Sequence, residues 1–498
     1  MKKQQIVLAS ILIIITILFG CKQENKIKPE NPNIVYLLAD DMGMGDLTCY
    51  NPESKIPTPA MDALAMDGMM FTDAHTNSAV CSPTRYGILT GTYAFRTRMK
   101  SGVLWGSSPL LIKEGEPTVA SLLKENGYNT ACIGKWHLGL GWQTLEPGIE
   151  LTDNWENDIP KIDFTKPILS GPNSVGFDYF FGITGSLDMP PYAYIENQLT
   201  QGLPTEITRE GGREGATVPG FKAKSVMPDL TQKAVDFIKK QTTDKPFFLY
   251  FPWAAPHTPV VPNDEFLGKS NAGIYGDFVV ECDATVQHIV TALKENGLYE
   301  NTIIILTSDN GSSPHGFPIE KEIEYNHNTS NGFKGRKSHS YDGGHRVSFI
   351  VTWPNHIKPG SISDEIICST DLYATVADLL SHKLNDDEAQ DSYSFLPVLK
   401  GENYTKPLRE AIIHHSLNGD FSIRKGDWKF IDAKGHGGFA QIKEMVPADS
   451  IQLYNLATDP SEAKNVYADN PDLVNELKML LDKYKSRGYS RQKQQHSK

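Results

Sequence analysis

Cysteine is scarce, six in 498 residues, with no C-x-x-C pair and no spacing that suits zinc. Apart from one N-terminal run, no apolar stretch approaches the ~20 residues that span a bilayer, and no segment repeats itself. Basic residues are outnumbered, 48 against 60, for a net charge of −12. That balance argues against a general nucleic-acid binder, whose basic surface must displace counterions from phosphates. An anionic substrate stays open, because a few convergent cations and a metal ion outweigh a distant negative field. Glycine (41) and proline (31) mark many turns but no fibrous period. With 39% hydrophobic and 22% charged residues, the composition is that of a globular chain with a substantial core.

Lys2 and Lys3 precede an apolar stretch, Ile6 to Phe19, which ends at Gly20-Cys21. At about 14 residues it is too short to cross a membrane and reads as a secretory signal. The small residue before Cys21 makes the junction resemble a bacterial lipobox. That resemblance implies cleavage there, lipidation of Cys21, and an exported protein held to the cell envelope by its lipid alone. Residues 22–31 (KQENKIKPEN) read as a flexible tether. Cys49, Cys81, Cys132, Cys282 and Cys368 remain, an odd number that leaves at least one thiol unpaired or modified.

The run Asn33–Ala39 has the continuous apolar character of a strand buried on both faces of a parallel sheet. Similar runs lie at 128–133, 246–251, 302–307 and 347–353. Helical patterns fall between them at 118–126, 229–240 and 276–296, with one more at 371–381. The alternation predicts an α/β fold whose large, mostly parallel sheet is sandwiched by helices. After about residue 400 the pattern changes to short strand-like pieces at 411–415, 421–424, 428–431 and 452–455, then a helix at 473–484. The expected organisation is a catalytic domain over 32–400 and a small antiparallel α+β subdomain over 401–498, with the polar end frayed from Ser486.

Ligands of open parallel sheets bind beyond the carboxyl ends of the strands. Two predicted strands end in oxygen-bearing pairs, Asp40-Asp41 and Asp309-Asn310. Together they offer a hard-cation site, although either pair alone also suits a turn or a helix cap. Cys81-Ser82-Pro83-Thr84-Arg85 reads equally as a helix start over a buried thiol or as a reactive thiolate at a helix N-terminus.

The same segment resembles the C-x-P-x-R modification signature of type I sulfatases. Gly127-Tyr128-Asn129-Thr130, followed by Gly134-Lys135-Trp136-His137, resembles the second signature of that family. Asp40-Asp41, Pro256-His257-Thr258-Pro259, Asp309-Asn310-Gly311, Lys337 and Asp342-Gly343-Gly344-His345-Arg346 follow in the family's order. Leu453-Tyr454-Asn455-Leu456 with Asp459-Pro460 is similar to the family's C-terminal subdomain.

The resemblance implies an alkaline-phosphatase-like fold and a sulfuric-ester hydrolase. It further implies that a formylglycine-generating or anaerobic sulfatase-maturing enzyme oxidises Cys81 to formylglycine (3-oxoalanine). Its hydrate would attack sulfur with one hydroxyl and expel sulfate with the other. A divalent ion, Ca²⁺ before Mg²⁺, would be held by Asp40, Asp41, Asp309 and Asn310 and contacted by residue 81. Arg85 would orient the hydrate, Lys135 and Lys337 would neutralise sulfate charge, His137 would act as base and His257 as acid. The expected substrate is a sulfated oligo- or polysaccharide, algal such as ulvan or a glycosaminoglycan.

Thr84 stands where many relatives carry Ser, and His345 where an aliphatic residue is usual. His315, His339 and His345, with His327 nearby, read either as a solvated loop or as contacts to an acidic sugar. Trp105, Trp142 and Tyr192 are candidate stacking residues. Two other functions remain open from sequence, a phosphoester or phosphonate hydrolase of the same superfamily and an inactive carbohydrate-binding surface lipoprotein.

Overall fold

The run Asn33–Ala39 sits near the middle of a ten-stranded sheet, flanked in register by Thr302–Ser308 on one side and Phe247–Pro252 on the other. It lacks the polar–apolar alternation of a half-exposed strand because both of its faces are covered. Ile34, Tyr36 and Leu38 enter one core with Tyr86, Leu89, Leu122 and Val376. Val35, Leu37 and Ala39 enter a second core with Leu64, Leu230, Phe278 and Val286. The helices Cys81–Thr90, Val119–Glu125 and Leu372–Leu379 pack on the first face. Pro59–Asp67, Val226–Lys239 and Gly273–Glu295 pack on the second. The coordinates are a computed structural model that describes residues 31–404, 406–439 and 451–491. The apolar leader, Cys21 and the tether up to Glu30 lie outside the described residues.

Across the sheet the strands run Ser361–Ser363, Met69–Phe71, Phe349–Thr352, Thr302–Ser308, Asn33–Ala39, Phe247–Pro252, Asn129–Lys135, Tyr179–Ile183, Ile195–Glu196 and Leu199–Thr200. The five strands from Thr302–Ser308 to Tyr179–Ile183 are mutually parallel. The apolar run at 347–353 departs from the parallel expectation, since Phe349–Thr352 pairs antiparallel with Thr302–Ser308. After Ser308 no long crossover helix carries the chain back to the amino-terminal edge. Residues 309–348 stay at the carboxyl edge, and the chain re-enters the sheet from there in the opposite sense.

The strands Ile412–His415, Phe421–Lys425, Trp428–Ile431 and Gln452–Asn455 form a separate four-stranded antiparallel sheet. The helix Pro471–Arg487 covers it with Leu477, Leu480, Leu481 and Tyr484, one helical stripe, against Ile423, Phe430 and Leu453. The expected fraying does not begin at Ser486. The helix continues to Arg487, Gly488 caps it at φ 81°, and the Ser490 amide donates to Asp391 at 2.9 Å. Residues from Pro32 onward belong to one compact unit. No helix among the described residues is long and apolar enough to cross a membrane.

Candidate active site

Five chain segments deliver polar side chains to the carboxyl edge of the parallel strands. Asp40 and Asp41 follow Asn33–Ala39, Lys135 ends Asn129–Lys135, His257 follows Phe247–Pro252, and Asp309 and Asn310 follow Thr302–Ser308. Cys81 opens the helix Cys81–Thr90, and Arg85 lies one turn further along it. All of these are buried, as is Lys337 from the segment after the fourth of these strands. Asp41 (φ 70°) and His137 (φ 56°) both occupy the left-handed region, an uncommon backbone state for residues with a Cβ.

Charge is matched pair by pair. Lys135 Nζ donates to both Asp40 oxygens, at 2.9 and 2.7 Å, and Lys337 Nζ lies 2.6 Å from Asp41 Oδ1 and 2.8 Å from its Oδ2. Arg85 donates to Asp309 Oδ2 through Nε (3.0 Å) and Nη2 (2.7 Å), and to the Lys135 carbonyl at 2.9 Å. The Cys81 thiol lies 3.8 Å from Asp40 Oδ1. His257 Nε2 is 3.6 Å from Asp41 Oδ2. Burial works to raise the Asp40 pKa, but Lys135, His257 and Arg85 outweigh it and hold the carboxyl below its ordinary value. Burial disfavours the Lys337 ammonium, yet Asp41 more than compensates and its pKa rises.

Burial pushes the Cys81 thiol up to about 12, despite Lys135 and Lys337. The helix N-terminus therefore does not make it a reactive thiolate, and an unmodified thiol here is a poor nucleophile. His137 is driven well below its ordinary pKa by burial first and by Lys135 and Arg85 next, so the ring is neutral. Its Nε2 lies 2.7 Å from the Leu104 carbonyl, which only accepts, so the proton is on Nε2. Nδ1 is left as a buried acceptor without a partner. His257 Nδ1 faces the Thr258 carbonyl at 2.7 Å, which places its proton on Nδ1 and directs Nε2 into the site.

A divalent cation fits the residues present. Asn310 Nδ2 donates to Asp41 Oδ1 at 2.8 Å, while Asn310 Oδ1 is buried with no hydrogen-bond partner. An orphaned carbonyl oxygen beside the carboxylates of Asp40, Asp41 and Asp309 is a hard-oxygen donor set of the kind Ca²⁺ and Mg²⁺ take. Ligand atoms of Asp40, Asp41, Cys81 and His257 all lie within 4.8 Å of one another.

The structure thus brings together Asp40, Asp41, Cys81, Arg85, Lys135, His137, His257, Asp309, Asn310 and Lys337. The histidine-rich segment divides differently. His315 is exposed at the site's rim, its ring 4.8 Å from that of Phe439. His339 and His345 are completely buried and present no surface to a sugar. His345 Nδ1 meets His75 Nδ1 at 3.0 Å, and His327 Nε2 meets Asp46 at 2.8 Å. Trp142 and Tyr192 are also interior, and of the three aromatic candidates only Trp105 is partly exposed. No motif flags Asp188, in the turn after Tyr179–Ile183, yet its Oδ1 lies 4.0 Å from His257 Nδ1. A lone acidic residue in a turn carries no spacing signal that could reveal it.

A sequence profile of the Sulfatase family matches residues 32–382, and one described as N-sulphoglucosamine sulphohydrolase, C-terminal, matches 333–487. An N-acetylgalactosamine-6-O-sulfatase of Bacteroides thetaiotaomicron is 34% identical over 95% of this chain and 98% of its own length. Human arylsulfatase A is 31% identical over 90% of this chain and 87% of its own. A solved structure described under the metabolism of multiple glycosaminoglycans by Bacteroides thetaiotaomicron superposes with a TM-score of 0.79. It is 33% identical and covers 92% of this chain and 100% of that one. With well over half its length matched by the family profile, the chain belongs to the sulfatase family and is a sulfuric-ester hydrolase.

Proposed function

We propose that the protein removes sulfate from a sulfated carbohydrate, with a 6-O-sulfated N-acetylgalactosamine of a glycosaminoglycan-type oligosaccharide as the first substrate to test. The observation that carries this reading is the buried constellation of Cys81, Lys135, Lys337, His137 and His257 around two aspartates at one sheet edge. The choice of sugar rests on the 34% identical relative, whose name specifies that substrate.

Residue 81 acts in this reading as formylglycine, whose hydrate offers two hydroxyls where Ser or Cys offers one nucleophile. One hydroxyl passes its proton to the free Nε2 of His257 as its oxygen bonds to sulfur and the bond from sulfur to the sugar oxygen breaks. His257 Nε2 then hands that proton to the departing sugar oxygen. The second hydroxyl then loses its proton to His137 Nδ1, the carbonyl of residue 81 re-forms, and sulfate leaves with the electron pair of its bond to that residue. Lys135 and Lys337 offset the negative charge of the sulfuryl group in transit, and Arg85 holds Asp309 in place. A divalent cation, Ca²⁺ by the family resemblance, held by Asp40, Asp41, Asp309 and Asn310, supplies Lewis-acid polarisation of the sulfate oxygens when bound. Export with a lipid on Cys21 suits scavenging of polysaccharide fragments, with a maturation enzyme acting on Cys81 beforehand.

The test is sulfate release from defined sulfated oligosaccharides by protein whose residue 81 has been characterised by peptide mass spectrometry. The aldehyde form should release sulfate, and the Cys81→Ala variant should fall by at least about a thousandfold, the scale of losing a covalent nucleophile. Faster turnover of an aryl phosphate than of the matching aryl sulfate would overturn the reading in favour of a phosphoester hydrolase.

A further inference from the structure

Among the described residues, Asp188 is a partly buried acidic side chain beside His257 that the proposed chemistry leaves unused. Its Oδ2 is held by Arg213 Nη1, whereas Oδ1 is buried and accepts no hydrogen bond. His257 does not satisfy it, because the Nδ1 proton goes to the Thr258 carbonyl and the separation from Oδ1 is 4.0 Å. Burial works to raise the Asp188 pKa, but His257 and Arg213 overcome it and the group is ionised. A buried anionic oxygen without a donor is costly, and the surroundings fix it in place all the same. The Arg213 carbonyl accepts from Tyr192 Oη at 2.7 Å, and the Arg213 amidinium carbon lies 5.2 Å from the Trp105 ring centroid. Trp105 stands 5.9 Å from Trp155, and the preceding residue, Leu104, supplies the carbonyl that fixes His137. One loop thus positions both the base and a partly exposed aromatic wall.

We propose that Asp188 Oδ1 accepts a hydrogen bond from a ring hydroxyl of the sugar that carries the sulfate, with Arg213 and Trp105 as the wall of that subsite. Asp188 is then a specificity-determining residue for the leaving alcohol, an inference that rests on the carbohydrate reading above. A sugar lacking that hydroxyl leaves the carboxylate unpaired. A sugar bearing a second sulfate in its place sets two anions against each other, so the subsite rejects as well as selects.

The experiment compares wild-type protein with Asp188→Asn on three substrates: a 6-O-sulfated hexosamine, its monodeoxy analogues, and an aryl sulfate with no sugar hydroxyl. The ratio of kcat/KM on the sugar to that on the aryl sulfate should fall about a hundredfold in the variant, the scale of a hydrogen bond to an ionised group. One monodeoxy analogue should cost the wild type a similar factor and cost Asp188→Asn almost nothing. An unchanged ratio, with both substrates slowed together, would mean that Asp188 acts through His257 and would overturn the subsite while the carbohydrate reading stands. Wild-type protein that turns over the aryl sulfate but no sulfated sugar would overturn both.

Discussion

Arg85 is fully buried, and its guanidinium spends three N–H groups on two partners, Asp309 Oδ2 and the Lys135 carbonyl. Burial opposes its charge, yet Asp309 and Asp40 raise its pKa, so the cation is permanent. A lysine at this position has one point charge and cannot reproduce a planar fork bonded to two partners. Arg85→Lys should therefore lower kcat by at least about a hundredfold, the scale of a misplaced site group. Arg85→Ala should also destabilise the metal-free fold by about 3–5 kcal/mol, because Asp309 is left buried without its cationic partner. Denaturant unfolding and steady-state rates check the two effects, and an Arg85→Lys protein with wild-type kcat would refute the argument. This residue was legible through the resemblance of Cys81-Ser82-Pro83-Thr84-Arg85 to the sulfatase signature, and the helix Cys81–Thr90 places it one turn on, on the same face as Cys81. His345 was not, because its burial depends on His75 and Lys429, which are distant in sequence and show no local pattern.

At the scale of elements, the strands were readable wherever both faces are buried, because uninterrupted apolar runs then mark them. Direction was not readable for Phe349–Thr352, since nothing in these four residues records the path of the forty residues that precede them. The way the four-stranded sheet braces the site was equally hidden. The Ala79 amide donates to the His415 carbonyl at 3.0 Å, two residues before Cys81, and Leu417 bonds the carbonyl of Ser338 at 3.0 Å, one residue after Lys337. Lys429, on the strand Trp428–Ile431, reaches Asp342 at 2.7 Å and Glu462 at 2.8 Å with no exposure to water. Lys429→Met removes the cation between Asp342 and Glu462, so that Glu462 must take up a proton or stand charged beside Asp342, and should destabilise the fold by about 3–5 kcal/mol. Adding Glu462→Gln should restore part of that loss, because the amide needs neither a cation nor a proton at that buried position. Urea unfolding of both single variants and the double variant measures the coupling, and strictly additive losses would refute the triad.

For the whole molecule, the consequence of this joint is sensitivity to acid. His75, His339, His345, His414 and His415 are all buried where the large sheet meets the smaller one, and burial pushes every one below the ordinary histidine pKa. His415 is the cleanest case, since burial alone takes it from 6.5 to about 4 and neither ring nitrogen has a partner. The sign follows from the unfolded chain binding the proton first. Above pH 6.5 neither state is protonated at this site and no stability is lost. Between 6.5 and about 4 the unfolded chain is protonated and the native one is not, so stability drains away as the pH falls. The full effect is about 3 kcal/mol for this one ring. Other groups oppose it, notably Glu462, which burial raises to about 7 despite Lys429, and Asp283, raised to about 6. The total slope is therefore a poor test, and a difference is a good one. Phenylalanine fits the surroundings of His415, which already include the rings of Phe95 and Phe421. The stability of His415→Phe relative to wild type should rise by about 3 kcal/mol between pH 7 and pH 4. Urea unfolding across that range measures it, and two parallel stability curves would show that the ring is already protonated in the native state or that water reaches it.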